Sequence, residues 1–413
     1  MKVLIQTLGS AGDTFPFIGI GRALVARRHD VVLFANEVFR PSVEAAGLTF
    51  VEMGDAASYM DLAANSAVWD ARRGIELILK AVVDHLDESI EIIEAELEGA
   101  DVIVSSSLGF GARMVRDIYG TPLVTAHLAP SLLRSSVRLP RTEVMLVGDN
   151  SPSWVKSLWW RLGDFLVDRV AGPELNSVRQ KYGLPPVKRI LDEWSTYSPD
   201  RTLGLFPEWF GPPQPDWKRP VTLTGFPLYD GSDVDGLDRN LDAWLSEGPP
   251  PVVFTAGSAN YQAAEFFEAA SNVAAELGLK SLFVTPSDSD LPGLLPMNVR
   301  SENFVPFSKL LPRSRALISH GGVGTCAQAL AAGIPHLVAH LNFDQRDNAS
   351  RLEDLGTGFG MPISRFAGST AADAVDSLLS DRYRARAEAI SSLVDRDRSL
   401  REACLAIEES ARR

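Results

Sequence analysis

The sequence predicts an α/β protein made of two doubly wound, Rossmann-like domains facing one another across a cleft. Three observations carry this expectation. The chain has 413 residues, which suits two domains of roughly 100–200 residues each. Short apolar runs alternate with helical stretches, the pattern of parallel strands joined by crossover helices. That alternation occurs twice, interrupted by a stretch rich in tryptophan and proline.

In the first half, strands are expected near 2–8, 31–35, 48–52, 101–106 and 121–126, and helices near 15–28, 37–46, 72–98 and 108–119. Residues 130–220 hold Trp154, Trp159, Trp160, Trp194, Trp209 and Trp217 and read as insertions and helices decorating the first domain. The alternation restarts near Pro251, with strands expected at 251–255, 280–285, 315–319, 335–338 and 357–361. Helices are expected near 261–277, 322–332, 344–355 and 369–379. The implied division is a first domain over 1–224, a linker over 225–240, a second domain over 241–390, and a helix over 391–413 packing back on the first domain. Thr224-Gly225-Phe226-Pro227 and the Gly/Asp-rich stretch to Asp238 have the composition of a linker.

Charge and composition remove whole classes of function. A formal net charge of −13 is the wrong sign for gripping phosphate backbones or anionic headgroups across a whole surface, so no nucleic-acid partner is expected. The opening Met1-Lys2-Val3-Leu4-Ile5-Gln6 lacks the longer apolar region of a cleavable signal. No stretch approaches the ~18–20 apolar residues of a membrane span. Cys326 and Cys404 are far apart and suggest no disulfide framework. A soluble, cytoplasmic protein is the expectation.

In open α/β sheets, ligands bind beyond the carboxyl ends of the strands, so the loops there are where chemistry is sought. After the first strand comes Gly9-Ser10-Ala11-Gly12-Asp13-Thr14, whose glycine spacing is not the GxGxxG of dinucleotide sites. Asp13 stands at the strand end, before the expected helix. It is either an N-cap or a carboxylate placed to accept a proton. In the second half, Ser319-His320-Gly321-Gly322-Val323-Gly324-Thr325 follows an apolar strand and opens a helix. Glycines that permit close approach, together with helix N-terminal amides, suit a diphosphate. His320 either donates to a phosphate oxygen or is a buried histidine tied to a loop carbonyl.

Gly257-Ser258 offers a further amide and hydroxyl, or is a plain turn. Phe304 and Val305 could stack on a base and read its edge, or pack in the core. Asn342-Phe343-Asp344-Gln345-Arg346-Asp347-Asn348 clusters groups able to bind several hydroxyls, or is a solvated helix start. Over 152–170, Trp154, Val155, Leu158, Trp159, Leu162, Phe165 and Leu166 form one broad apolar helical face. It either packs on the core or walls a pocket for a greasy acceptor, with transient membrane contact as a further use.

The run Phe304-Val305-Pro306, Ser319 to Thr325, Ala332-Gly333-Ile334-Pro335 and Asp344-Gln345 resembles the nucleotide-sugar signature of family-one glycosyltransferases, which have the GT-B fold. The opening Gly9 to Pro16 looks like the start of the bacterial branch, which includes antibiotic and sterol glycosyltransferases. Gly204 to Phe210, Thr224 to Leu228 and Asp344 to Asn348 are similar to rhamnolipid-type rhamnosyltransferases. The resemblance implies that Phe304 stacks on the base and the Val305 backbone meets its edge. It implies that Ser258, His320, Gly322, Gly324 and Thr325 hold the diphosphate, and that Asp344 and Gln345 hold the sugar. Plant members differ, having Trp at the stacking position, Glu where this chain has Gln328, and a His base with an Asp partner. The base role therefore falls on Asp13 alone.

The expected reaction is an inverting transfer of a hexose from a UDP- or dTDP-linked sugar to a hydroxyl of a hydrophobic small-molecule or lipid acceptor, such as a hydroxy-fatty-acid ester. Gly12, Phe15, Trp154 and Trp159 are the acceptor-side candidates. No cofactor beyond the nucleotide-sugar co-substrate is expected. No metal is expected either, since no DxD pair follows a strand in a convincing position. The competing expectations are an epimerase or hydrolase on the same fold and a non-catalytic nucleotide-sugar-binding subunit.

Overall fold

The computed structural model describes residues 1–70, 73–143, 147–231, 237–257 and 263–412. The chain divides into two compact units. One comprises Met1–Pro140, Val144–Pro227 and Arg396–Arg413, the other Arg141–Glu143 and Leu228–Asp395.

The first unit is organised on a seven-stranded parallel sheet. The central strand β1 (Lys2–Gln6) is flanked on one side by β2 (Asp30–Ala35) and then β3 (Thr49–Glu52). On the other side follow β4 (Ala100–Ser105), β5 (Leu123–His127), β6 (Arg201–Gly204) and β7 (Val221–Leu223). Strands buried on both faces must be apolar throughout, and Val3, Leu4 and Ile5 at 0% exposure show it. The helices are α1 (Ala11–Ala26), α2 (Arg40–Ala45), α3 (Ala56–Ala64), α4 (Gly74–Asp84), α5 (Leu86–Ala95), α6 (Phe110–Tyr119) and the long α7 (Ser153–Lys181).

The second unit carries a six-stranded parallel sheet in the order β10-β9-β8-β11-β12-β13. Its strands are β8 (Val252–Thr255), β9 (Ser281–Val284), β10 (Val299–Glu302), β11 (Ala316–Ser319), β12 (His336–His340) and β13 (Gly358–Pro362). The helices are α8 (Arg239–Ser246), α9 (Ala264–Glu276), α10 (Phe307–Leu310), α11 (Val323–Ala332), α12 (Gln345–Leu355), α13 (Gly368–Leu378) and α14 (Asp381–Ser391). Gly333 and Gly356 end α11 and α12 in the left-handed conformation, which glycine adopts without a Cβ penalty. The chain then returns to the first unit as α15 (Arg396–Ala411), which packs on α1, and Glu408 accepts from Arg27 at 2.6 and 2.8 Å.

Several elements differ from the sequence expectation for local reasons. The first helix begins at Ala11, not near 15, because Ser10 and Asp13 form a capping box that closes its first turn, and Pro16 is carried inside. The single helix expected over 72–98 is two, α4 and α5, broken at His85. β6, β7 and β10 are strands of three or four residues, two of them rich in polar groups, and carry too short an apolar pattern to announce themselves. The stretch read as decoration thus supplies one sheet strand, β6, and β7 follows directly after it.

The division between units falls at Pro227/Leu228, and residues 232–236 of the expected linker lie outside the described residues. Arg141–Glu143, expected in the first domain, group with the second. The Arg141 N–H donates to Asp347 Oδ1 at 3.0 Å, and Arg346 donates to the Thr142 carbonyl at 3.0 Å. Cys326 and Cys404 are buried free thiols. Among the described residues no helix is long and apolar enough to cross a membrane.

Candidate functional site

In the first unit the loop between β1 and α1 places Asp13 in the first turn of α1 rather than ahead of it. Ser10 is the N-cap. Asp13 Oδ2 accepts from the Ser10 N–H at 2.8 Å and from Ser10 Oγ at 2.9 Å. The N-cap reading of Asp13 is therefore corrected: it is the reciprocal partner in a capping box. Burial raises its pKa above the ordinary carboxylate value, and the two Ser10 hydrogen bonds oppose that shift without cancelling it. A carboxylate so shifted is a stronger base than a solvated one. Gly9, at φ +121°, lies under the carboxylate; a Cβ there would be 2.4 Å from Asp13 Oδ2. The glycine thus makes room for the carboxylate as well as for the turn.

Of the acceptor-side candidates, Gly12 is exposed on the first turn of α1. Phe15 is half-buried, edge-on to Phe39 at 6.4 Å. Core packing on α7 comes instead from Val167, Ala171, Leu175 and Val178, which join the main core of this unit. It fails for Trp154, which is 71% exposed, and for Leu158, Leu162, Phe165 and Leu166. Trp159 is half-buried. The helical period was right, but the apolar face is an open one.

In the second unit the loop after β11 is built for an anion. Gly322 is the N-cap of α11 and supplies no side-chain cap, so the first-turn amides of Val323, Gly324 and Thr325 have no intrahelical acceptor by position. Gly321 sits at φ +90°, where a Cβ would be 2.3 Å from Val338 Cγ1, and its N–H donates to Ser319 Oγ at 3.0 Å. The His320 ring lies between two glycines: a Cβ on Gly257 would be 2.6 Å from Cε1, and one on Gly322 would be 2.7 Å from Nε2. His320 Nδ1 is buried without a hydrogen-bond partner among the described residues, and burial pulls the pKa down to about 4. The tied-down histidine is instead His336, paired through Nε2 with Ser319 Oγ at 2.8 Å.

Gly257, at φ +93°, therefore seats His320. Gly257→Ala is expected to displace the ring, destabilise the unit by about 1–3 kcal/mol and weaken nucleoside-diphosphate binding at least about tenfold. Titration calorimetry with UDP and dTDP, alongside a thermal melt, measures both; unchanged affinity would show that His320 placement does not matter. Ser258, the neighbouring candidate, lies outside the described residues.

Phe304 follows β10 and is 60% exposed, free to receive a flat ligand, whereas Val305 is buried in a core cluster. After β12, Phe343 adopts φ +58°, a left-handed conformation costing a residue other than glycine about 1–2 kcal/mol, and strain of this kind gathers at functional sites. Asp344 is the N-cap of α12. Gln345 Oε1 is committed to the N–H groups of Leu341 and Asn342 at 2.7 and 3.1 Å, so only its amide NH₂ is left for a ligand. Asn348, read from the sequence only as part of a hydroxyl-binding cluster, is fully buried one turn on, and its Nδ2 donates to Asp344 Oδ2 and to the Gly321 carbonyl.

Both halves of the chain match known protein families. Residues 3–133 match the glycosyltransferase family 28 N-terminal domain, and residues 268–399 match the erythromycin biosynthesis protein CIII-like C-terminal domain. The O-mycaminosyltylonolide 6-deoxyallosyltransferase of Streptomyces fradiae is 30% identical over 433 residues, spanning 100% of this chain and 98% of that protein. The chain belongs to the family-one GT-B glycosyltransferases.

This glycosyltransferase is of the antibiotic and natural-product type and acts on a nucleotide sugar. Its fold matches the calicheamicin glycosyltransferase CalG4 with a TM-score of 0.72 at 21% identity, covering 100% of this chain and 98% of that one. It also matches the spinosyn rhamnosyltransferase SpnG complexed with thymidine diphosphate, with a TM-score of 0.65 at 20% identity and 95% of each chain. SpnG complexed with spinosyn aglycone matches at 0.66 and 20%, covering 100% of the glycosyltransferase and 98% of that chain.

Proposed function

We propose that this glycosyltransferase moves a hexose, with inversion, from a dTDP-rhamnose or UDP-glucose type of donor to a hydroxyl of an apolar acceptor. The observation that carries the donor half is the start of α11, where uncapped amides stand beside an unpartnered, neutral His320. These groups neutralise a diphosphate locally, so the net charge of −13 is no obstacle. Phe304 takes the base, and Asp344 with the Gln345 amide takes the sugar. Asp13 accepts the acceptor's hydroxyl proton as that oxygen bonds to the anomeric carbon. The bond to the diphosphate breaks in the same step, and the leaving oxygen keeps the electron pair.

The acceptor half rests on the exposed stripe Trp154, Leu158, Leu162, Phe165 and Leu166, which favours a large apolar partner. A natural-product aglycone, of the kind named for the spinosyn enzyme, and a hydroxy-fatty-acid ester are the two chemistries that fit. The fatty-acid reading also gives the stripe a use in transient membrane contact. Purified protein incubated with a panel of UDP- and dTDP-hexoses, with and without each acceptor class, tests the reading through nucleoside diphosphate released and product formed. Acceptor-dependent release with an apolar hydroxyl and inverted anomeric configuration is expected. Transfer only to small polar acceptors would remove the apolar assignment, and a retained configuration would remove the single displacement.

A further inference from the structure

We propose that Asn348 is a positioning residue that ties the sugar-facing carboxylate of Asp344 to the phosphate-facing loop after β11. Its side-chain amide donates one hydrogen to the Gly321 carbonyl at 2.9 Å and the other to Asp344 Oδ2 at 2.8 Å. A carbonyl only accepts, and so does an ionised carboxylate, so the amide cannot be turned round: its nitrogen must face both. One side chain thus spans two loops that follow adjacent parallel strands, β11 and β12.

The tether meets backbone that is already fixed on both sides. Gly321 is held at φ +90° against Val338, and its carbonyl also lies 3.5 Å from Cys326 Sγ. Asp344 follows Phe343 at φ +58°. With Oδ2 committed to Asn348, the carboxylate of Asp344 has an orientation that the loop after β11 helps to define. Preorganisation of this sort matters most for a reaction that needs the sugar's anomeric carbon in line with its leaving oxygen.

A further observation separates this role from ordinary core filling. Asn348 is 0% exposed, and its Oδ1 is buried with no hydrogen-bond partner. An unpaired buried carbonyl is destabilising, and an apolar side chain of similar size would fill the space without that penalty. The asparagine is therefore explained by what its nitrogen does for the two loops.

The inference rests on the reading that Asp344 meets the donor sugar, and a double-mutant cycle separates the two. Affinities of the full chain for UDP and dTDP, and KM and kcat for UDP-glucose and dTDP-rhamnose, are measured for Asn348→Asp, Asn348→Ala, Asp344→Ala and the double alanine variant, with thermal midpoints for each. Asn348→Asp keeps the shape and replaces the donor by a second carboxylate. It is expected to raise the nucleotide-sugar KM or lower kcat by at least about tenfold while leaving nucleoside-diphosphate affinity within about twofold. In the Asp344→Ala background, Asn348→Ala is expected to add no more than about twofold, since groups acting as one unit are not additive.

Equal weakening of diphosphate and nucleotide sugar, or full multiplication of the two single effects, overturns the positioning role. Asp344→Ala without effect on the sugar's contribution overturns instead the assignment of Asp344. If Asn348→Asp does not fold, the alanine cycle decides alone.

Discussion

Asp13→Asn is expected to lower kcat by about 10²–10⁴-fold while leaving nucleoside-diphosphate affinity unchanged. The amide keeps the size of the carboxylate, and its oxygen can still accept from Ser10, so the start of α1 survives. What it cannot do is take a proton. The same residue sets a sign for the pH profile. Burial raises the Asp13 pKa, and the carboxylate must be ionised to act, so kcat/KM is expected to rise with pH along a limb above the ordinary carboxylate range. That limb should be missing from Asp13→Asn. Steady-state rates between pH 4 and 8 with a fixed donor and acceptor measure both, and a variant as fast as the parent would take Asp13 out of the mechanism.

The largest effect on stability is expected on the acid side. Burial lowers the pKa of His127 and His320 to about 4 and of His336 to about 3, the last assisted by the neighbouring His320. In the unfolded chain these rings titrate near 6.5. Below that value the unfolded state binds protons that the folded state refuses, so stability is full above pH ~6.5 and falls as pH drops towards each folded value. The shifts correspond to about 3 kcal/mol for each of His127 and His320 and about 5 kcal/mol for His336, against a typical total of ~5–15 kcal/mol.

Glu408 adds a later loss. Its pKa is lowered to about 2, chiefly by Arg27, so the stability it contributes disappears as pH falls from 4.5 to about 2. Asp13 and Asp290, both raised by burial, act in the opposite direction and offset part of this. Thermal midpoints across pH 7 to 4 should fall steeply. Saturating nucleoside diphosphate should soften the decline, because a bound dianion favours protonated His320. A flat profile would contradict the buried, neutral state of the three rings.

The glycine-rich loop after β11 was legible in the sequence because its information is carried by backbone. Gly321 and Gly322 are spaced as the turn requires, and the helix that follows supplies amides whatever its side chains. Alternation of apolar runs with helices gave the two parallel sheets for a similar reason, since strands such as β1 and β11 are buried on both faces. Asp13 was harder. A carboxylate at the strand end was visible, but its place in the capping box depended on where α1 begins, a shift of a few residues that Pro16 obscured. Asn348 and the seating of His320 by Gly257 could not be read at all, because each depends on two chain-distant loops meeting in space. The stripe on α7 was predicted as a helical face, yet the sequence could not say whether that face would be covered.

The first unit is discontinuous: α15, which packs on α1 and anchors Arg27 through Glu408, follows the whole of the second unit in the chain. On a ribosome, the second unit is fully synthesised before the last helix of the first one exists. The surface of α1 that awaits α15 stays uncovered during that interval, so the helix carrying Asp13 is among the last parts to gain its native surroundings. Order of synthesis thus runs opposite to order of completion, with the unit begun first being the one finished last.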